Sequence, residues 1–190
     1  MHKKKKLKIA IISSTYLPSI GGSQIGLHNI CLGLLKLGHE PVMIIPYGSY
    51  SKLKKQKWSL PYKIIPLPPK ILRLYFFLPN IFIFIISAYL KILNLYSSFD
   101  FWIANMAYPS GVILGRTFSN SKNNFTSVLC PGEDIQVEAK INYGIRINKK
   151  IDDQIIKFLP NINNFIALTE SVTKEFYKLN INPKKIYEIP

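Results

Sequence analysis

"LKIAIISSTYLPSIGGSQIGLHNI", residues 7–30, sets a β-branched apolar run against what reads as an amphipathic helix, with two glycines between them. The run from Leu7 to Ser13 is almost continuously apolar, as expected of a strand covered on both faces. In the helical part Ile25, Ile30, Leu34 and Leu37 recur at three- to five-residue steps, and Gly38 stands where a helix ends. A buried strand, a glycine loop and a helix together make the first half of a βαβ unit. The rest of the chain repeats that alternation.

Downstream, "PVMIIP" (41–46) and the shorter "YKIIPLP" (62–68) read as strands, with "KLKKQKW" (52–58) as an exposed loop between them. A long apolar helix is predicted over 79–96, starting at Pro79. "FDFWIAN" (99–105) and "FTSVLC" (125–130) read as strands flanking a helix through "PSGVILGRTF". An irregular stretch leads to a helix around 152–159, a strand "NFIALT" (164–169), a helix "ESVTKEFYKL" (170–179) and a last strand "KIYEIP". This pattern predicts an α/β fold: a doubly wound, Rossmann-like parallel sheet with helices on both faces, in one domain over residues 1–190. Ligands of such sheets bind beyond the carboxyl ends of the strands. Five segments qualify on that rule: 14–23, 46–48, 105–108, 131–136 and 169–171.

Composition narrows the setting. With 48% hydrophobic and 18% charged residues, 190 residues can build a sizeable core. Cys31 and Cys130 match no metal-ligand spacing, so a reducing cytoplasm is the simplest compartment and no metal is expected. The apolar run at the start, about six residues long, is too short for the core of a signal peptide. Net charge is +15, with five basic residues among the first eight positions. Such a balance reads either as a solvated lysine-rich surface or as attraction to a polyanion. Nucleic acid is the weaker choice of polyanion, since basic residues and aromatics are interleaved only in "KKQKW". The uncharged run from Leu74 to Leu90 falls just short of the roughly 20 residues needed to cross a bilayer. It reads as a core layer or a contact with an anionic membrane surface.

Gly21 and Gly22 permit close approach of a phosphate to the N–H groups at a helix start, with Ser23 able to cap that helix. An ordinary turn is the other reading of the pair. The dinucleotide fingerprint fails, because Ser23 occupies its second glycine position and no acidic residue follows the second strand. The P-loop pattern is absent too. Glu133 and Asp134 follow a strand end and suit either sugar hydroxyls or the capping of a helix. Tyr143 and Arg146 read mainly as surface residues, with contact to an acidic or sugar acceptor as the alternative. His28 and His39 read as structural.

A proline, Gly21-Gly22, an amphipathic helix and "LGHEPVMIIP" together resemble the acceptor-side N-terminal domain of family-four retaining glycosyltransferases of GT-B fold. "SFDFWIAN", "CPGEDIQ" and "NFIALTESVTKEFYKLNINPKKIYEIP" extend the resemblance over nearly the whole chain. Pro131 stands where that family often has histidine, so no role of that histidine carries over. The resemblance implies sugar transfer from a nucleotide-sugar, as co-substrate with no separate cofactor, to a glycan or lipid-linked acceptor in cell-surface polysaccharide synthesis. It implies a protein that is cytoplasmic and peripheral at the inner face of the membrane. A nucleotide- or dinucleotide-binding module without transfer is the alternative. By the same resemblance Gly21 and Gly22 lie near the donor diphosphate and Ser23 and Gln24 line the cleft; Glu133, Asp134, Thr169 and Glu170 are the further candidates for binding substrate or phosphate, and the catalytic residues are unassigned. It also implies a C-terminal donor-binding domain beyond "YEIP". The 190 residues alone are then expected to fold but to transfer no sugar.

Overall fold

The computed structural model describes residues 5–68, 78–119, 121 and 124–189. Seven strands form one all-parallel sheet: β1 (Lys8–Ser13), β2 (Glu40–Pro46), β3 (Lys63–Leu67), β4 (Phe101–Asn105), β5 (Phe125–Cys130), β6 (Asn164–Ala167) and β7 (Ile186–Glu188). Their order is β3-β2-β1-β4-β5-β6-β7. The chain winds outward from β1 to one edge, then returns to build the other half from β4. Strand order therefore reverses between β1 and β4, and that is where a crevice opens in such sheets.

Among the described residues six α-helices cover the two faces: α1 (Gly22–Lys36), α2 (Tyr47–Lys55), α3 (Pro79–Ser97), α4 (Val112–Thr117), α5 (Lys149–Phe158) and α6 (Glu170–Lys178). Side-chain alternation along β1 sends Ile9 and Ile11 to a core shared with Leu27, Cys31, Met43, Ile45 and Leu53. Ala10 and Ile12 join the opposite core, with Ile44, Trp102, Val128 and Phe165 and with residues of α3 to α6. Burying each such isoleucine fully contributes about 1.5–3 kcal/mol. The expected doubly wound sheet is the observed one.

Local signals explain several boundaries. Gly38 has a φ of +84°, its N–H donates to the carbonyl of Leu35, and the N–H of His39 donates to that of Leu34. That is the glycine-terminated closure of α1. His39 Nδ1 accepts the N–H of Leu7, a structural role as read. Pro79 opens α3 as its first residue. The first part of the uncharged run, 74–77, lies outside the described residues, as do 1–4 of the basic N-terminus.

Two expectations need correction, and a third holds. Only the end of "KLKKQKW", 56–58, lies outside a helix: α2 starts directly after Pro46 and takes in 52–55, ending at Lys55. Leu53 is buried and anchors that helix, while Lys52, Lys54 and Lys55 oppose its dipole at the C-terminal end. The helix expected through "PSGVILGRTF" is present: Tyr108 is extended at φ −130°, and helical backbone follows it and runs on into α4, which ends at Thr117. Arg146 is no surface residue, its side chain being 10% exposed. Its Nε donates to Asp152 at 2.7 Å and its Nη1 to Glu175 at 3.1 Å and to the carbonyl of Ile135 at 3.0 Å. The guanidinium thereby ties the irregular stretch 131–148 to α5 and α6.

Candidate functional site

The loop after β1 runs over the crevice between β1 and β4. Two of its side chains, Tyr16 and Leu17, are buried among α1, β2 and Tyr62. The Tyr62 hydroxyl bonds to both the Tyr16 hydroxyl and Nδ1 of His28. Burial raises the Tyr16 phenol far above its usual range and pushes Tyr62 up to about 12, so both stay neutral. A clamped base leaves Ser19, Ile20 and Gly22 exposed at the rim.

Neither Gly21 nor Gly22 is required by the turn. Gly21 is extended at φ −161°, a conformation open to any residue, and Gly22 is the first helical residue. A Cβ added at Gly22 would meet nothing within 4 Å, whereas one at Gly21 would lie 2.6 Å from Oε1 of Gln24. The first intrahelical bond is from Ile25 to the Gly21 carbonyl. The N–H groups of Gly22, Ser23 and Gln24 consequently have no acceptor among the described residues, and Gly21 supplies no side-chain cap. Three free donors at a helix start, with open space at Gly22, are suited to an anionic oxygen.

Ser23 does not cap α1. Its hydroxyl accepts from Nδ2 of Asn105 at 3.0 Å, and the same amide donates to Ser13 Oγ at 3.2 Å. Ser13 and Asn105 are register partners at the ends of β1 and β4, both almost fully buried. Gln24 Nε2 donates to Thr15 Oγ1 at 3.1 Å. This amide and hydroxyl network fixes the start of α1 against the sheet. Beside it lies a mostly apolar cavity of about 380 Å³, lined by Ile12, Thr15, Pro46, Leu67, Phe82 and Ile113 among others.

The second group lies at the ends of β5 and β6. Gly132 has a φ of +148°, and its N–H donates to Asp134 Oδ1 at 3.1 Å. The other Asp134 oxygen accepts the N–H of Ala107 at 2.5 Å. Asp134 is 3% exposed, so its carboxylate faces inward and ties the β5 end to the turn after β4. Burial pushes that carboxyl up, while the two N–H donors pull it part of the way back. Asp134 caps no helix: both of its oxygens are taken by main-chain N–H groups of two turns. Glu133, by contrast, is exposed and without a side-chain partner among the described residues. Thr169 is exposed and caps α6 by accepting from Val172, with Ser171 and Gln136 bonded beside it. Glu170 pairs with Lys174 at 2.9 Å, and that ammonium holds its carboxyl below the usual range.

All of these residues stand at one edge of the sheet. They form two groups, not one: β1 and β6 are three strand spacings apart, roughly 14 Å. Asn105 falls in the expected segment 105–108, though with no role assigned to it there, and Ser13 was missed. Their signal was a polar residue closing an apolar strand, in "IIS" and in "IAN".

No protein-family model and no curated protein sequence matches the chain. Solved structures do. UDP-GlcNAc 2-epimerase from Methanocaldococcus jannaschii, in complex with UDP-GlcNAc and UDP, superposes with a TM-score of 0.64 at 14% identity, covering 96% of this chain and 46% of that one. A glycosyltransferase from Rickettsia africae gives 0.59 at 14% identity, with 97% and 42% covered. The chain thus spans less than half the length of these neighbours. At such identities the likeness is one of fold. This chain has the Rossmann-like fold of a GT-B domain, as found in glycosyltransferases and in a sugar epimerase.

Proposed function

We propose that this chain is the acceptor-side domain of a glycosyltransferase that moves a sugar from a nucleotide-sugar to a glycan or lipid-linked acceptor, in cell-surface polysaccharide synthesis in the cytoplasm. One observation carries the reading: the unpartnered N–H groups of Gly22, Ser23 and Gln24, held at the strand-order reversal on a clamped loop. A diphosphate is the part of the donor that such donors would receive. The cavity beside Thr15 and Phe82 would hold the apolar part of the acceptor, and Glu133 would bond sugar hydroxyls at the other end of the same edge. Thr169 and Glu170 would join it only by giving up the cap of α6 and the pair with Lys174. Support comes from the fold shared with a neighbour solved with UDP-GlcNAc and UDP. The active site would be completed by a second domain across the cleft, as the resemblance to family-four enzymes implies.

Amide chemical shifts followed during titration test this. UDP and UDP-GlcNAc should shift residues 21–24 and Asn105, and NAD should not. Equal shifts with NAD would favour the dinucleotide-binding alternative, and no shift at 21–24 with any nucleotide would overturn the phosphate assignment. In a protein that joins this domain to a donor-binding one, transfer to an acceptor rather than an inverted sugar configuration in the recovered donor separates a transferase from an epimerase.

A further inference from the structure

Met106 has backbone angles that suit glycine, φ +74° and ψ 145°. Four other non-glycine residues among those described have a positive φ: Lys57, Ser98, Asn142 and Asn180. Each of those follows a helical segment, where a left-handed residue closes the last turn. Met106 follows a strand. Compared with the φ of about −120° in a parallel strand, the chain is swung roughly half a turn around its N–Cα bond. So costly a conformation persists where the surroundings fix it from several sides. Here the Met106 N–H donates to the carbonyl of Leu129 at 2.8 Å, and its own carbonyl accepts the N–H of Gly111 at 3.0 Å. Gly111 leaves room for that oxygen, which a Cβ there would approach to 3.1 Å.

The residues on either side of Met106 serve different parts of the candidate site. Asn105, before it, bonds Ser23 beside the free donors of α1. Ala107, after it, gives its N–H to Asp134, in the loop that carries Glu133. Pro109 and Ser110 line the cavity beside Thr15. The donor trio, the Glu133 loop and the cavity therefore meet in residues 105–110. An extended residue at 106 would continue the strand and take the Ala107 N–H away from Asp134.

We propose that Met106 is a positioning residue, whose left-handed backbone fixes the α1 donors and the Glu133 loop in one mutual orientation. A residue with a β-carbon has a narrow allowed range at these angles, whereas glycine has a broad one. With Met106 in place, a ligand that reaches both ends meets them already aligned, and that lowers the ordering cost of binding. The identity of the ligand rests on the sugar-transfer reading. The coupling across the turn does not.

Two measurements test the proposal. Ser23→Ala removes the hydroxyl that accepts from Asn105. With no ligand present, it should move the amide resonances of Ala107 and Gly132, whereas in M106G/S23A these should stay put. The second measurement is calorimetric. UDP engages the donor trio alone, and UDP-GlcNAc extends to the Glu133 loop. M106G should leave UDP affinity unchanged and weaken UDP-GlcNAc roughly tenfold, with Tm within about 3 °C of the parent. M106A, which keeps the β-carbon, should match the parent with both ligands. Unmoved resonances at Ala107 and Gly132 in S23A would overturn the proposal, and that result needs no variant at 106 to fold. Undiminished movement in M106G/S23A, equal weakening of both ligands by M106G, or an M106A that behaves as M106G would overturn it too. If the parent binds neither ligand, the phosphate reading falls, and the S23A comparison still decides the role of Met106.

Discussion

Gly22→Val separates a ligand role from a structural one at the start of α1. On the stability side the change is close to neutral. Gly22 already has helical backbone angles and a new Cβ meets nothing within 4 Å. Replacing glycine gains about 0.4–1 kcal/mol by restricting the unfolded chain, and a β-branched residue gives part of that back within a helix. The net is within about 0.5 kcal/mol, or ~2 °C in Tm for a chain of this length. On the binding side the isopropyl group fills the space in front of the free donors. Hydrogen bonds to a charged group contribute about 1.5–3 kcal/mol each. Moving a phosphate out of reach of even one N–H therefore weakens binding roughly ten- to hundredfold. The assay is paired: UDP-GlcNAc affinity by calorimetry and thermal unfolding on the same preparations. Unchanged affinity, or a loss of affinity matched by a collapse in Tm, would refute the reasoning. Gly21 is a poorer probe, since a Cβ there displaces Gln24 from Thr15 and mixes the two effects.

Tyr62→Phe should lower stability by about 1–3 kcal/mol, because the buried Tyr16 hydroxyl loses its partner; an unchanged denaturation midpoint would mean that the loop is held in some other way. Asp134→Ala leaves the N–H groups of Ala107 and Gly132 without an acceptor and should cost about 2–4 kcal/mol. Intact stability with lost sugar binding would return Asp134 to a ligand role. Asp100 accepts from Lys5 Nζ and the N–H of Lys8, which hold its carboxyl below the usual range. Its folded pKa lies under the unfolded one, so the stability it contributes is complete above about pH 4 and is lost as pH falls through the folded value. Asp100→Asn should therefore be less stable than the parent at neutral pH, with the gap closing in acid, and a gap that widens in acid would contradict that sign.

Strands β1, β2 and β5 were legible because each is a short apolar run, and α1 and α3 because Gly38 and Pro79 mark their ends. The lysine-rich α2 was not, since one buried leucine carries it and its other side chains are those of a loop. Arg146 was misread for a different reason: its partners, Asp152 and Glu175, come from two later helices, and nothing local distinguishes a buried guanidinium from an exposed one. The network of Ser13, Asn105 and Ser23 likewise depends on register between strands whose bonded residues are 92 positions apart.

The candidate site shows the same division. Its edge followed from the topology, because strand order alone locates the crevice. Which residues of that edge are free for a ligand did not, since that depends on where each polar group already has a partner. Asp134 kept the Gly-x-Asp spacing of "CPGEDIQ", yet its acceptor capacity goes to a main-chain N–H contributed 27 residues earlier. Glu170 is engaged by Lys174, and Thr169 by the first turn of α6. What remains unengaged is the donor trio of α1 and the Glu133 carboxylate: hydrogen-bond donors at one end of the edge and an acceptor at the other. A ligand bearing a diphosphate and a hydroxyl-rich ring presents the complementary pair in that order, and a nucleotide-sugar is such a ligand. Charge reversal at Glu133 should therefore leave UDP affinity nearly unchanged while weakening the sugar-bearing form, and an equal effect on both would detach Glu133 from the sugar end of the cleft.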